Sequence, residues 1–125
     1  MGKKSRFQLP EGLAKEPKRR PARVADMIRN EVAMLLLMGM KDPRVENVTL
    51  VRAHVTDNLR TARLYYTCQK DKVEEAGAGL ASASGFIRSH LAKQLHLRFV
   101  PELIFAYDAT LDEVDRLNEL LSEGE

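Results

Sequence analysis

Residues 79–95 read GLASASGFIRSHLAKQL, and whether the helix breaks near the glycine at position 85 decides the reading of the fold. Ala76, Leu80, Ala83 and Ile87 keep helical spacing into this stretch, and Ile87, Leu91 and Leu95 carry an apolar stripe out of it. Ser89, Lys93 and His96 lie on the opposite face of that second segment. A glycine inside one continuous helix costs about 1 kcal/mol relative to alanine. The small run Ala83-Ser84-Gly85 therefore reads as a break that lets two helices pack at an angle, with Gly85 at the bend. Ser84 is placed to cap the second helix, whose first N–H groups favour a phosphate.

Working outward, residues 1–21 contain Gly2, Pro10, Gly12, Pro17 and Pro21 with few large apolar groups, and read as a flexible basic arm. Val24, Ile28, Val32 and Leu35 then form one helical stripe, with Pro21 or Ala22 in its first turn and Gly39 as its stop. KDPRVEN, residues 41–47, is a turn punctuated by Asp42-Pro43. Two strands follow. Val51, Ala53 and Val55 are expected on the core face of the first, with Arg52 and His54 outward. In the second, Ala62, Leu64 and Tyr66 alternate with Arg63, Tyr65 and Thr67, after a hairpin through TDNLR. A last strand alternates Leu103, Phe105 and Tyr107, with Pro101 placing its start at an edge or bulge. Residues 109–125 are a weak acidic helix or a loose tail.

The order is α-β-β-α-(kink)-α-β: an α+β domain with a three-stranded sheet and its helices on one face. That is the type II KH arrangement. In RNA-binding KH domains a GxxG loop joins the two helices and clamps backbone phosphates. Only Gly85 is available here, so the usual grip is missing while the scaffold stays.

Charge is unevenly spread. Residues 1–24 carry eight Lys or Arg against two acids (+6), residues 25–100 eleven against eight (+3), and residues 101–125 one Arg against eight acids (−7), summing to the formal +2. A basic arm, a mildly basic body and an acidic tail suit a protein that meets a polyanion on one side. The longest apolar run, VAMLLLMGM at 32–40, is far short of the about 20 residues that span a membrane, and no signal-peptide core follows the basic start. A cytoplasmic protein is expected. Cys68 is the only cysteine, so no internal disulfide forms, and its place on the apolar side of a strand predicts a buried structural thiol. Cys68, His54, His90 and His96 fit no compact metal-ligand spacing, and P-loop, dinucleotide and nucleophile-elbow motifs are absent. No cofactor and no enzymatic activity are expected.

RVADMIRNEVAMLLL (23–37), KDPRV (41–45) and ASGFIRSHLAKQLHLRFVPELIFAYD (83–108), in this element order, resemble the bacterial ribosome-binding factor A family. The resemblance covers roughly residues 22–108. It implies a KH-like fold with an Ala-x-Gly kink, matched by Ala83, Ser84 and Gly85, in place of GxxG. It also implies a non-enzymatic factor that binds the immature small (30S) ribosomal subunit and its 16S rRNA, promotes late maturation including processing of the rRNA 5′ end, and supports growth in the cold. The arm 1–21 and the acidic tail 109–125 lie outside the match.

Phosphate contacts dominate nucleic-acid affinity, and Lys or Arg supplies them. The candidate RNA-binding residues are Lys41, Arg44, Ser84, Gly85, Arg88, Lys93 and Arg98. Arg88 and Lys93, just after the kink, are the leading pair, away from the Ile87–Leu91–Leu95 stripe. Arg52, Arg63 and the arm residues Lys18, Arg19, Arg20 and Arg23 are further cations, and Tyr65 is a sheet residue that also offers a ring. A monomer is expected in solution. Two other readings stand beside this one: a module docking a ribosomal protein or a maturation GTPase, and a general single-stranded RNA binder of KH type.

Overall fold

The structure is a computed structural model and describes residues 19–123. The arm 1–18, with Lys18, lies outside the described residues. Helix α1 spans Arg19–Met38, and strands β1 (Thr49–Val55) and β2 (Thr61–Thr67) form the hairpin. Helices α2 (Val73–Ser82) and α3 (Ser84–Leu95) lead to β3 (Glu102–Tyr107), and α4 (Thr110–Glu123) ends the described chain. The sheet order is β1-β2-β3, with β1–β2 antiparallel and β2–β3 parallel. This is the KH-like α+β fold, with α1 packed on β1 and α2 on β3. Among the described residues no helix is long and apolar enough to cross a membrane.

Helix α1 begins earlier than its apolar stripe. Arg19, Arg20 and Pro21 belong to its first turn, where a proline's missing N–H is harmless, and Pro21 is buried. Val24, Ile28 and Val32 are buried, as the spacing predicts. Gly39 ends the helix at φ +147, donating its N–H to the Leu35 carbonyl at 3.2 Å. The core joins Ile28 and Val32 to Leu64, Leu80, Ile87 and Leu91, all fully buried. Each such aliphatic side chain contributes about 1.5–3 kcal/mol of burial.

Strand β1 departs from its expected phase. The pairing steps from Leu50↔Tyr66 to Arg52↔Tyr65, leaving Val51 as the extra residue of a bulge. Leu50, not Val51, therefore takes the first core position, while Ala53 and Val55 face inward and Arg52 and His54 outward. The bulge frees the Val51 carbonyl from the ladder, and Arg29 Nε of α1 donates to it at 3.2 Å. β2 alternates as expected, and β3 sits at the sheet edge that Pro101 required. Tyr66 and Tyr107 meet edge to face at 5.9 Å under α2. Cys68 falls just past β2 and is half-buried at the rim of the core, not fully inside, because the strand's alternation ends at Thr67.

Helices α2 and α3 part at Ala83, whose φ −89 and ψ 0 lie outside the helical region. Backbone hydrogen bonds span the break. Ala83 N–H donates to Gly79 and Leu80 carbonyls, and Ile87 N–H donates to Ala83. The Ala83-Ser84-Gly85 break thus exists, but the bend is at Ala83. Gly85 lies in the first turn of α3, exposed, and a Cβ there would meet nothing within 4 Å. The glycine that close packing requires is Gly79, where a Cβ would come 2.8 Å from Arg44 Cβ and 2.9 Å from Val45 Cγ1.

Gly79→Ala is expected to lose about 1–3 kcal/mol through overpacking, outweighing its gain of about 1 kcal/mol in helix propensity. Gly85→Ala is expected to leave stability unchanged or raise it by up to about 1 kcal/mol. Thermal melts of the two variants check this, since 1 kcal/mol moves the midpoint by about 4–8 °C in a domain of this size.

Candidate nucleic-acid interface

The candidate basic side chains divide into those with structural partners and those without. Asp42 starts the 3-10 turn Pro43–Val45, its Oδ1 accepting from Arg44 N–H at 2.9 Å. Arg44 folds back on the same carboxylate, Nη2 to Oδ2 at 2.6 Å and Nε to Oδ1 at 3.0 Å. These bonds from the Arg44 side chain and N–H hold the Asp42 carboxyl below the ordinary aspartate range. Arg88 crosses to the loop before β3, where Nη2 donates to the Val100 carbonyl at 2.8 Å and Nε to that of Pro101 at 3.2 Å. Arg88 is therefore a clamp on that loop, although its residue surface stays exposed. Arg52 lies 3.8 Å above the Tyr65 ring and 3.4 Å from Asp108 Oδ2, on the outer sheet face beside His54 and Arg63.

Lys41, Lys93 and Arg98 are exposed and have no hydrogen bond or ion pair among the described residues. Ser84 is the first residue of α3 and half-buried. It does not cap that helix, because the cap position is held by Ala83 and no side chain bonds there. Its role in the sequence reading was to cap; its actual place is one residue too far in. Three elements carry this set: the turn after α1 presents Lys41 and Arg44, α3 presents Gly85, Arg88 and Lys93, and the following loop presents Arg98. The packing of Gly79 against Arg44 and Val45 brings the first element onto α2. Arg88 brings the third onto α3. On the other side of α3, His90 Nε2 lies 3.7 Å from Glu31 Oε2 of α1.

Sequence reasoning missed two features here. Phe86 and Phe99 are exposed, at 59% and 78%. Residues 76–101 also contain Arg88, Lys93 and Arg98 but no Asp or Glu, a signal that a shorter charge window would have exposed. Among the described residues, no group of three His, Cys, Asp or Glu side chains could hold a metal ion.

A family model described as ribosome-binding factor A matches residues 20–121. The chain belongs to the ribosome-binding factor A family. Ribosome-binding factor A of Geobacter sulfurreducens is 43% identical over 108 residues, covering 85% of this chain and 92% of that protein. The protein of the same name from Syntrophobacter fumaroxidans is 42% identical over 109 residues, covering 84% and 93%. The crystal structure of the Thermus thermophilus factor superposes with a TM-score of 0.64 at 20% identity, over 70% of this chain and 93% of that one, and so shares the fold. A homology model of the Thermus thermophilus factor, as fitted into the cryo-EM map of its 30S complex, gives 0.59 at 19% identity, over 70% and 94%.

Arg88→Ala is expected to destabilise by about 1–2 kcal/mol, because two loop carbonyls lose a charged donor, while Lys93→Ala stays within about 0.5 kcal/mol. Melting midpoints of the two variants decide it. The Asp42 tether has a pH signature. Its carboxyl titrates lower folded than unfolded, so its contribution is present above the unfolded value of about 4 and is lost as pH falls through the folded value. The melting difference between wild type and Asp42→Asn is expected to be largest near neutral pH and to close in acid.

Proposed function

We propose that the chain binds the immature small ribosomal subunit through its rRNA and promotes late maturation by binding energy alone. Its family membership and the 30S complex of its Thermus thermophilus relative support this reading. The observation that carries it is the surface around α3. Lys93 and Arg98 are exposed there without partners, in a 26-residue run free of acidic side chains (76 to 101 inclusive), and Lys41 is exposed without a partner just ahead of the turn that packs on α2. Cations without internal partners meet phosphates without first breaking a protein contact.

The KH-like scaffold lacks the second glycine of a phosphate clamp, so recognition falls to side chains and to surface shape. The mechanism is a population shift. The protein engages an rRNA arrangement present in the immature particle and favours it by its differential affinity. Processing of the rRNA 5′ end and growth in the cold follow from maturation as downstream effects, and the cytoplasm is where such a factor works. Catalysis, metal and cofactor have no part in this reading.

One observation favours a second reading. Met34, Leu37 and Met38 at the end of α1 are exposed at 55%, 85% and 75%, beside a groove lined by Ala33, Leu36, Val48 and Leu50. Such a surface suits docking of a ribosomal protein or a maturation GTPase.

Binding of the pure protein to immature and mature small subunits and to short RNA separates the readings, with preference for the immature particle expected. If about five phosphates are neutralised, the slope of log affinity against log salt is expected near −3 to −5. A slope near zero would transfer the binding to the apolar end of α1.

A further inference from the structure

We propose that Phe86 is a base-stacking residue, and that the α3 surface takes unpaired, unstacked nucleotides of RNA rather than duplex backbone. This deepens the rRNA-binding reading above and rests on it. Phe86 follows Gly85 in the first turn of α3 and is 59% exposed, while the adjacent Ile87 and, one turn on, Leu91 are fully buried. At about 100° per residue, Phe86 points away from that core stripe and shares its face with Ser89 and Lys93. Ser89 and Lys93 are exposed, and the space beside Gly85 is open. The ring therefore stands at the surface with a cation two turns along the same face.

Phe99 repeats the pairing. It is 78% exposed and next in sequence to exposed Arg98, on the loop that follows α3. His96 turns the chain out of α3 in the left-handed region, at φ 53, an uncommon conformation for a residue with a side chain. Arg88 holds the far end of the loop through the Val100 and Pro101 carbonyls. The loop thus turns out of α3 at His96 and is held at its far end by Arg88, with Arg98 and Phe99 exposed between.

The charge around the rings selects the ligand. A protein partner for exposed phenylalanines brings apolar side chains, and the cations around them would be left against that apolar surface. The charged side chains of α3 and of the loop after it are all basic, and Glu31 of α1, an acid that reaches α3, lies against His90. A nucleotide satisfies both groups, its base covering the ring and its phosphate meeting Lys93 or Arg98. Bases inside a duplex present no free face, so the ligand is single-stranded, looped or terminal RNA.

The chain has no tryptophan, so Phe86→Trp places a single fluorescent reporter on the surface. This variant is titrated with an oligoadenylate, with an RNA duplex of the same length, and with immature small subunits. Phe86→Leu is compared with wild type for subunit affinity and melting temperature. Quenching by the oligoadenylate and by subunits but not by the duplex is expected. Phe86→Leu is expected to weaken subunit binding roughly 5- to 100-fold with the melting temperature unchanged, since leucine keeps apolar area but cannot stack. Subunit binding that leaves the fluorescence unmoved, or full affinity of Phe86→Leu, overturns the stacking role and leaves the rRNA-binding reading in place. Failure of the wild-type protein to bind immature subunits overturns that reading, and a silent reporter with oligoadenylate overturns stacking itself.

Discussion

The contact between Gly79 of α2 and the turn Asp42–Val45 is the constraint on which the rest of the structure depends. A hydrogen in place of a side chain lets Arg44 Cβ and Val45 Cγ1 approach to the distances a Cβ would forbid. Val45 is then 1% exposed, sealed between the turn and the core. Because that turn follows α1 and precedes β1, its seat on α2 fixes where the end of α1 lies relative to the two central helices. Gly77 works similarly on the other side, where a Cβ would come 3.0 Å from the Tyr66 hydroxyl. α2 is therefore held between the turn and the sheet, and α3 leaves it at an angle set by Ala83.

The arginines show why counting charges overstates an interface. Arg29 holds the carbonyl freed by the β1 bulge, Arg44 its own turn, and Arg88 the loop before β3. These side chains position the surface; of the candidate RNA-binding cations on the turn after α1, on α3 and on the loop that follows it, Lys41, Lys93 and Arg98 are the ones left to meet a ligand. A buried or bridging arginine removed by mutation alters shape as well as charge, so loss of binding on its own does not identify a phosphate contact. The exposed rings of Phe86 and Phe99 add a component that electrostatics lacks. Phosphate contacts supply affinity, and stacking distinguishes unpaired from paired RNA.

Much of the fold was legible because periodicity reports it. The stripes of α1 and α3, the alternation of β2 and β3 and the element order all follow from spacing alone. The start of β1 did not, since one bulged residue between Leu50 and Arg52 puts Leu50 rather than Val51 on the core face while Ala53 and Val55 keep theirs, and Leu50 and Val51 are equally apolar. Gly85 drew attention as the residue at a bend, yet whether a glycine is needed depends on what packs against it. At Gly79 that partner lies 34 residues away in sequence (79 − 45), beyond any local signal. The same limit hid the role of Arg88, whose acceptors are 12 and 13 residues downstream. The candidate site was legible as a set of cations, not as a division between structural and available ones.

The central claim is that the chain meets rRNA through α3 and the loop that follows it. A cryo-EM reconstruction of the protein bound to immature small subunits tests this most directly. The expected result places Phe86, Lys93 and Arg98 against rRNA, with the outer sheet face of Arg52, His54 and Arg63 toward solvent. A complex in which the sheet face or the apolar end of α1 contacts the particle while α3 faces solvent would contradict the account.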